Sequence, residues 1–143
     1  MIWTEETLRP IVEQIWRQLS KSPDAHKEKD PSGVLLVRTA DVTCESFEGR
    51  QDVRVKDVTT LDEAPRMAAG VMEVEKTAFP WTLTYDEYDI VLSGTLEIRV
   101  GDRTYTGHAG DLFYIPKGSA ISFCSPDKAR YVYVTYPADW QNS

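Results

Sequence analysis

The run Phe79 to Val100, FPWTLTYDEYDIVLSGTLEIRV, places Tyr85, Asp86, Glu87, Tyr88 and Asp89 side by side. On a β-strand alternate residues face opposite sides. Trp81, Leu83, Tyr85, Glu87, Asp89 and Val91 then share one face, and Thr82, Thr84, Asp86, Tyr88 and Ile90 the other. Glu87 and Asp89 would lie roughly 7 Å apart, near enough to couple their titrations. Hydropathy leaves open which face is interior, because both mix types. If the odd face points inward, a phenol and two carboxylates line a cavity walled by aromatics, and burial with mutual repulsion raises at least one carboxyl pKa. If it points outward, the acids are solvated strand residues. An inward pair can carry magnesium, which accepts one or two carboxylates together with water and substrate phosphate. A tyrosine hydroxyl beside it can donate to a substrate oxygen.

Other chemistries are poorly supplied. The chain holds two histidines, His26 and His108, so a three-histidine metal set is arithmetically impossible. Iron, nickel and zinc need three or four donors of suitable softness, and none of these ions is expected. Phosphoryl transfer needs positioned cations and backbone donors, yet no G-x-x-x-x-G-K-[ST] loop is present. Lys117, in Pro116-Lys117-Gly118-Ser119, is the best single cation, on a turn that could equally leave it as a surface residue. Cys44 and Cys124 lie far apart without a motif and read as small hydrophobes of a reducing compartment.

The elements that must position these groups follow from periodicity. From Val34 onward short β-branched and aromatic runs alternate with turn residues: Val34 to Val37, Val53 to Val58, Val71 to Val74, Trp81 to Leu92, Leu96 to Val100, Leu112 to Ile115, Ala120 to Phe123 and Tyr131 to Tyr136. Turn signals lie at Ser93-Gly94, Gly101-Asp102, Ala109-Gly110-Asp111, Pro116-Lys117-Gly118 and Ser125-Pro126-Asp127. The pattern predicts an all-β antiparallel sandwich or barrel over residues 34–143. Ahead of it, Leu8, Ile11, Val12, Ile15, Trp16 and Leu19 form one stripe of an amphipathic helix over Thr4 to Ser20, within a first segment of residues 1–20. Residues 21–33, Lys21 to Gly33, are polar and hold two prolines, which predicts a flexible tether. A short helix on a tether must dock, either on its own body or a sister subunit or on another protein.

Whole-chain composition narrows the partners. At 143 residues the chain is long enough for one filled core, and its net charge of −7 argues against nucleic acid or an anionic membrane surface. No stretch approaches 18 apolar residues, so no membrane span is expected.

Two spacings then carry a resemblance. Glu87, six residues and Gly94 resemble the end of the first cupin motif, and Gly110, five residues, Pro116, one residue and Gly118 (GDLFYIPKG) resemble the second. More narrowly, FPWTLTYDEYDIVLSGTLEI, AGDLFYIPKGSAISF and the ending YVYVTYPADWQ are similar to the EutQ family, cupins of bacterial ethanolamine utilisation, over about Val53 to Gln141. The resemblance implies a cupin-type jelly-roll barrel in which Glu87, and with it Tyr85 and Asp89, point inward. At the positions of the usual cupin metal histidines this chain has Trp81 and Leu83 (or Pro80 and Thr82) and Ile121. It further implies acetate kinase activity, interconverting acetyl phosphate and ADP with acetate and ATP. The helix and tether are similar to the encapsulation peptides of microcompartment enzymes. On this reading Tyr85, Glu87 and Asp89 are catalytic, Glu87 and Asp89 hold magnesium, and Trp81 and Lys117 contact substrate. The expected partners are ATP or ADP, a small-molecule ligand, a second copy in a homodimer, and shell or cargo proteins through residues 4–20. The expected place is cytoplasmic, within or on a bacterial microcompartment. A non-catalytic metabolite-binding cupin or a cargo or assembly factor is the alternative.

Overall fold

The computed structural model describes residues 26–142, and the expected helix over Thr4 to Ser20 lies outside them. The chain divides after Val42 into two units. In the first, β1 (Lys27–Lys29) pairs antiparallel with β2 (Leu35–Val37). This differs from the tether expected over residues 21–33, whose second half is the first strand and turn of a hairpin. The turn supplies what the composition hid: the Asp30 carboxylate accepts the Ser32 amide at 2.9 Å, and Gly33 takes a φ of 102°. Asx-turn chemistry of this kind lets a polar segment order without a core. Residues 34–42, expected within the barrel, group with this hairpin.

The second unit is an antiparallel jelly roll. Its strands are β3 (Glu45–Phe47), β4 (Arg50–Asp57), β5 (Ala68–Thr82), β6 (Asp86–Val100), β7 (Arg103–His108), β8 (Leu112–Ile115) and β9 (Ala120–Tyr136). They run side by side in the order β3-β4-β5-β9-β6-β7, with β8 paired to β6. Among the described residues the only helical pieces are two 3-10 turns, at Thr39–Asp41 and Trp140–Asn142. No helix there is long and apolar enough to cross a membrane.

Three expected boundaries change, for one reason. Trp81 to Leu92 is not a single strand: β5 ends at Thr82 and β6 starts at Asp86. Between them Leu83 exchanges two backbone hydrogen bonds with the Gly118-Ser119 turn, at 2.8 and 2.9 Å. Conversely, Ser93-Gly94 and Ser125-Pro126-Asp127 do not reverse the chain. Gly94 sits at a register shift in β6 with a φ of 76°, and a Cβ there would lie 1.9 Å from the Lys128 carbonyl oxygen. In β9 the Pro126-Asp127 pair is a bulge opposite Lys76 of β5, where no ladder N–H is required of proline. The Ser125 hydroxyl ties the bulge to the Thr95 carbonyl at 2.7 Å. Long strands that bend at bulges pass from one wall of a barrel to the other, so residues typical of turns here mark corners. Of the remaining three turn signals, Gly101-Asp102 reverses the chain between β6 and β7 and Pro116 to Ser119 closes a turn, whereas at Ala109-Gly110-Asp111 the chain carries on, since β7 and β8 both run antiparallel along β6.

Alternation sets the core. Val53, Met72, Val74, Val91, Leu96 and Tyr131 point inward and are buried. Phe79 stacks on Phe123, and Phe123 on Tyr131, with centroids 6.5 and 5.8 Å apart. On the outer face Glu73 lies between Arg54 and Arg130 in register and pairs with both, at 3.4 and 3.0 Å. Ahead of β5, Thr60 and Glu63 cap each other's amides in a turn, at 2.9 and 3.2 Å.

Candidate functional site

The odd face is interior. Leu83, Tyr85, Glu87, Asp89 and Val91 are all buried, Asp89 completely, while Thr82, Thr84, Tyr88 and Ile90 are exposed. The parity survives the break between β5 and β6 because both strands contribute to the same wall. Strand β6 is flanked here on both sides, by β9 and β8: Glu87 lies between Thr135 and Ile115, and Asp89 between Tyr133 and Phe113. Each acid is therefore enclosed by neighbours of its own face.

What surrounds the acids decides their chemistry. The two carboxyls are buried on the same face of β6, and burial pushes Glu87 up to about 7. Asp89 lies well above the usual carboxylate range, because it is buried and because Glu87 stands beside it. Two adjacent buried acids cannot both ionise freely, so both carboxyls hold their protons to higher pH than an ordinary carboxylate. Among the described residues, Glu87 Oε2, both Asp89 carboxyl oxygens and the buried Thr135 hydroxyl have no hydrogen-bond partner. Among the described residues, no lysine or arginine figures among the groups that shift either acid.

Tyr85 caps this group. Its hydroxyl accepts the Trp81 indole N–H at 2.8 Å, which leaves its own proton for donation. Trp140 lies against the Tyr85 ring at 4.5 Å and meets Trp81 edge-on at 6.4 Å. Burial and the nearby Glu87 raise the Tyr85 phenol above its ordinary value, so it stays protonated across the physiological range. Trp81 joins the group as expected, through Tyr85. Lys117 does not: it is exposed in the turn between β8 and β9, where its backbone N–H donates to Asp86 at 2.8 Å. Asp86 faces outward, so this bond holds the turn and brings no cation to the acids.

Three neighbours of the site are not among the site residues expected from the sequence: Thr135, Tyr133 and Trp140. Tyr131, Tyr133 and Thr135 share one face by alternation, a legible signal. That β9 pairs with β6 in the register that sets Thr135 beside Glu87 is a long-range fact without a local signature.

The donor set tests which ion would fit. Where transition-metal cupins carry histidines, Trp81 and Ile121 face each other across β5 and β9, and Leu83 is fully buried. Two carboxylates alone do not suit iron, nickel or zinc, and no group of three or more His, Cys, Asp or Glu residues converges among the described residues. Magnesium needs fewer protein ligands, and the unpartnered carboxylate oxygens fit it once their protons leave. The thiols take no part: burial pushes Cys44 up to about 11 and raises Cys124.

Comparison with known proteins agrees with this architecture. The family model described as "Ethanolamine utilisation protein EutQ" matches residues 4–142. A protein of Clostridioides difficile (strain 630) named "Acetate kinase EutQ" is 42% identical over 143 residues, covering 95% of this chain and 90% of that protein. One of the same name from Escherichia coli (strain K12) is 34% identical over 148 residues, 98% of this chain but 64% of that protein, so the chain spans just under two thirds of that relative. The solved structure of the Clostridium difficile EutQ protein superposes with a TM-score of 0.75 at 44% identity, covering 80% of this chain and 95% of that one. An RmlC-like cupin from Shewanella frigidimarina shares the fold alone, at 12% identity and a TM-score of 0.61 over 82% of this chain and 99% of that one. With a cupin-type barrel, an inward acid on the first motif and a family match over nearly its whole length, the chain belongs to the ethanolamine utilisation protein EutQ family.

Proposed function

We propose that the barrel transfers a phosphoryl group between acetyl phosphate and ADP, with magnesium held by Glu87 and Asp89. The observation that carries this reading is the buried acid pair, in which Glu87 Oε2 and both Asp89 carboxyl oxygens have no hydrogen-bond partner among the described residues. Buried polar groups are costly unless satisfied, so a pair left in this state is built for something that arrives. Glu87 and Asp89 would hold magnesium, which would supply positive charge to offset the charge developing on the transferring phosphoryl group. Tyr85, its oxygen fixed by Trp81, donates to a substrate oxygen, and Lys117 on its exposed turn meets the nucleotide side. The relatives' name supports the reaction. The test is ATP formation from acetyl phosphate and ADP with magnesium. Glu87→Gln should lower the rate at least roughly 100-fold with the fold retained. A wild-type rate equal to buffer, with magnesium or manganese, refutes the proposal.

A second reading rests on a different observation: the groups facing the acids include no cation. A site of acids and aromatic rings suits a protonated amine, such as a small amino alcohol, better than an anion. Calorimetry separates the two, since a binding barrel gives saturable heat with ethanolamine and no turnover with acetyl phosphate. Either barrel could be delivered to a bacterial microcompartment by residues 4–20, acting as an encapsulation peptide toward shell or cargo proteins in the cytoplasm.

A further inference from the structure

Four side chains flank the two acids across the sheet, and they differ in what they can offer. Ile115 and Phe113 of β8 are apolar, and the Phe113 ring rests on Gly107, where a Cβ would lie 2.6 Å from it. Tyr133 of β9 pairs with Asp89 but crosses Gly70, where a Cβ would lie 2.0 Å from its hydroxyl oxygen, and that hydroxyl donates to Asp57. Thr135 of β9 pairs with Glu87, is only 3% exposed, and its hydroxyl has no hydrogen-bond partner among the described residues. On its other side Thr135 faces Ala68 of β5, which has no polar side-chain atom. Residues directly opposite in an antiparallel ladder project to the same face, so Thr135 shares the inner wall with Glu87 and Asp89. The other hydroxyls near the acids are engaged: the Tyr85 oxygen accepts from Trp81 at 2.8 Å, and Tyr131 meets the Met72 sulfur at 3.0 Å. A buried hydroxyl left unmet is costly, and this one stands beside the very acids whose oxygens are also unmet.

We propose that Thr135 is a third protein ligand of the divalent cation, its hydroxyl oxygen completing an all-oxygen set with Glu87 and Asp89. The inference rests on the reading in which those two acids hold magnesium. A threonine hydroxyl is a hard, neutral oxygen of the kind magnesium accepts beside carboxylate and phosphate. It adds a donor without burying a third negative charge. With no nitrogen or sulfur among them, the three groups suit magnesium and manganese rather than softer ions.

Manganese binding to the full chain, followed by calorimetry and by the paramagnetic resonance of the free ion, tests the assignment. Thr135→Val keeps the shape and removes the hydroxyl, and it should weaken binding by roughly tenfold or more. Its resistance to denaturant should equal or exceed that of the wild type, because a buried unpartnered hydroxyl has been removed. Thr135→Ser should bind manganese as the wild type does. Thr135→Cys puts a soft donor at the same place, and cadmium should then give a thiolate charge-transfer absorbance beyond the wild-type signal. A threonine with a purely structural role would not gain that signal. Unweakened binding in Thr135→Val, an equal loss in Thr135→Ser, or no added cadmium signal in Thr135→Cys overturns the proposal while leaving the cation on the acids. A wild type that binds no manganese ends the magnesium reading, and this inference with it.

Discussion

At the scale of single residues the site is a problem in proton accounting. Glu87 holds its proton up to about 7 in the fold and releases it at an ordinary carboxylate pKa when unfolded. Between those values the unfolded state binds fewer protons than the native one, so stability falls as pH rises through the window from about 4.5 to about 7, and the raised Asp89 carboxyl adds to the fall. Replacing Glu87 by glutamine removes its share of that slope, because the amide does not titrate. Thermal unfolding of Glu87→Gln should therefore match wild type near pH 4.5 and exceed it at pH 8, by up to roughly 3 kcal/mol. A wild-type melting temperature flat across that window contradicts the burial argument. Magnesium competes with the same proton, so its apparent affinity should strengthen from pH 6 to pH 8 in calorimetry, with protons released on binding.

At the scale of elements, long strands carry the site and their corners set its geometry. Gly94 is one such corner, and the Lys128 carbonyl leaves no room for a Cβ at a φ of 76°. Gly94→Ala should destabilise by roughly 2 kcal/mol or more in denaturant titration, because backbone, unlike a side chain, cannot move aside. The Arg54-Glu73-Arg130 triad joins β4, β5 and β9 on the opposite face. Glu73→Ala leaves two guanidinium groups without their shared partner and should cost roughly 1 to 3 kcal/mol. Arg54→Ala, which keeps the stronger pair, should cost less. These corners explain why the strand boundaries were only partly legible. Ser-Gly and Ser-Pro-Asp have the same composition in a turn as in a bulge. What separates them is whether a neighbouring strand continues past, a non-local condition. Asn-Gly-like local rules suffice only where the chain truly reverses, as at Gly101-Asp102 and Pro116 to Ser119.

At the scale of the whole molecule, the outer face of the barrel carries Tyr88, Ile90, Leu112 and Tyr114 as two cross-strand pairs, all exposed. Paired aromatic and aliphatic groups in the open mark an association surface. The expected homodimer is the natural occupant: light scattering should give twice the 16.2 kDa chain mass, and Tyr88→Asp with Leu112→Asp should return it to one. A wild-type mass of a single chain ends that expectation. Removal of residues 1–30 should leave the dimer intact and release the protein from purified shells, which separates the barrel's association from the role assigned to the amphipathic segment.

The sequence alone determined that the body is β, that the odd residues from Leu83 to Val91 act as one set, and that two histidines cannot make a three-histidine metal set. Each of these is carried by local alternation or by a count, and neither depends on what lies across the sheet. Only the tertiary structure decided that Glu87 and Asp89 are buried together, that Thr135 stands beside them with its hydroxyl unpartnered, and that the Tyr133 hydroxyl donates to Asp57. Those facts arise from strand register and from the space left at Gly70 and Gly107. Pairings tens of residues apart set both, and the residues involved look, one by one, like any other tyrosine, threonine or glycine in a strand.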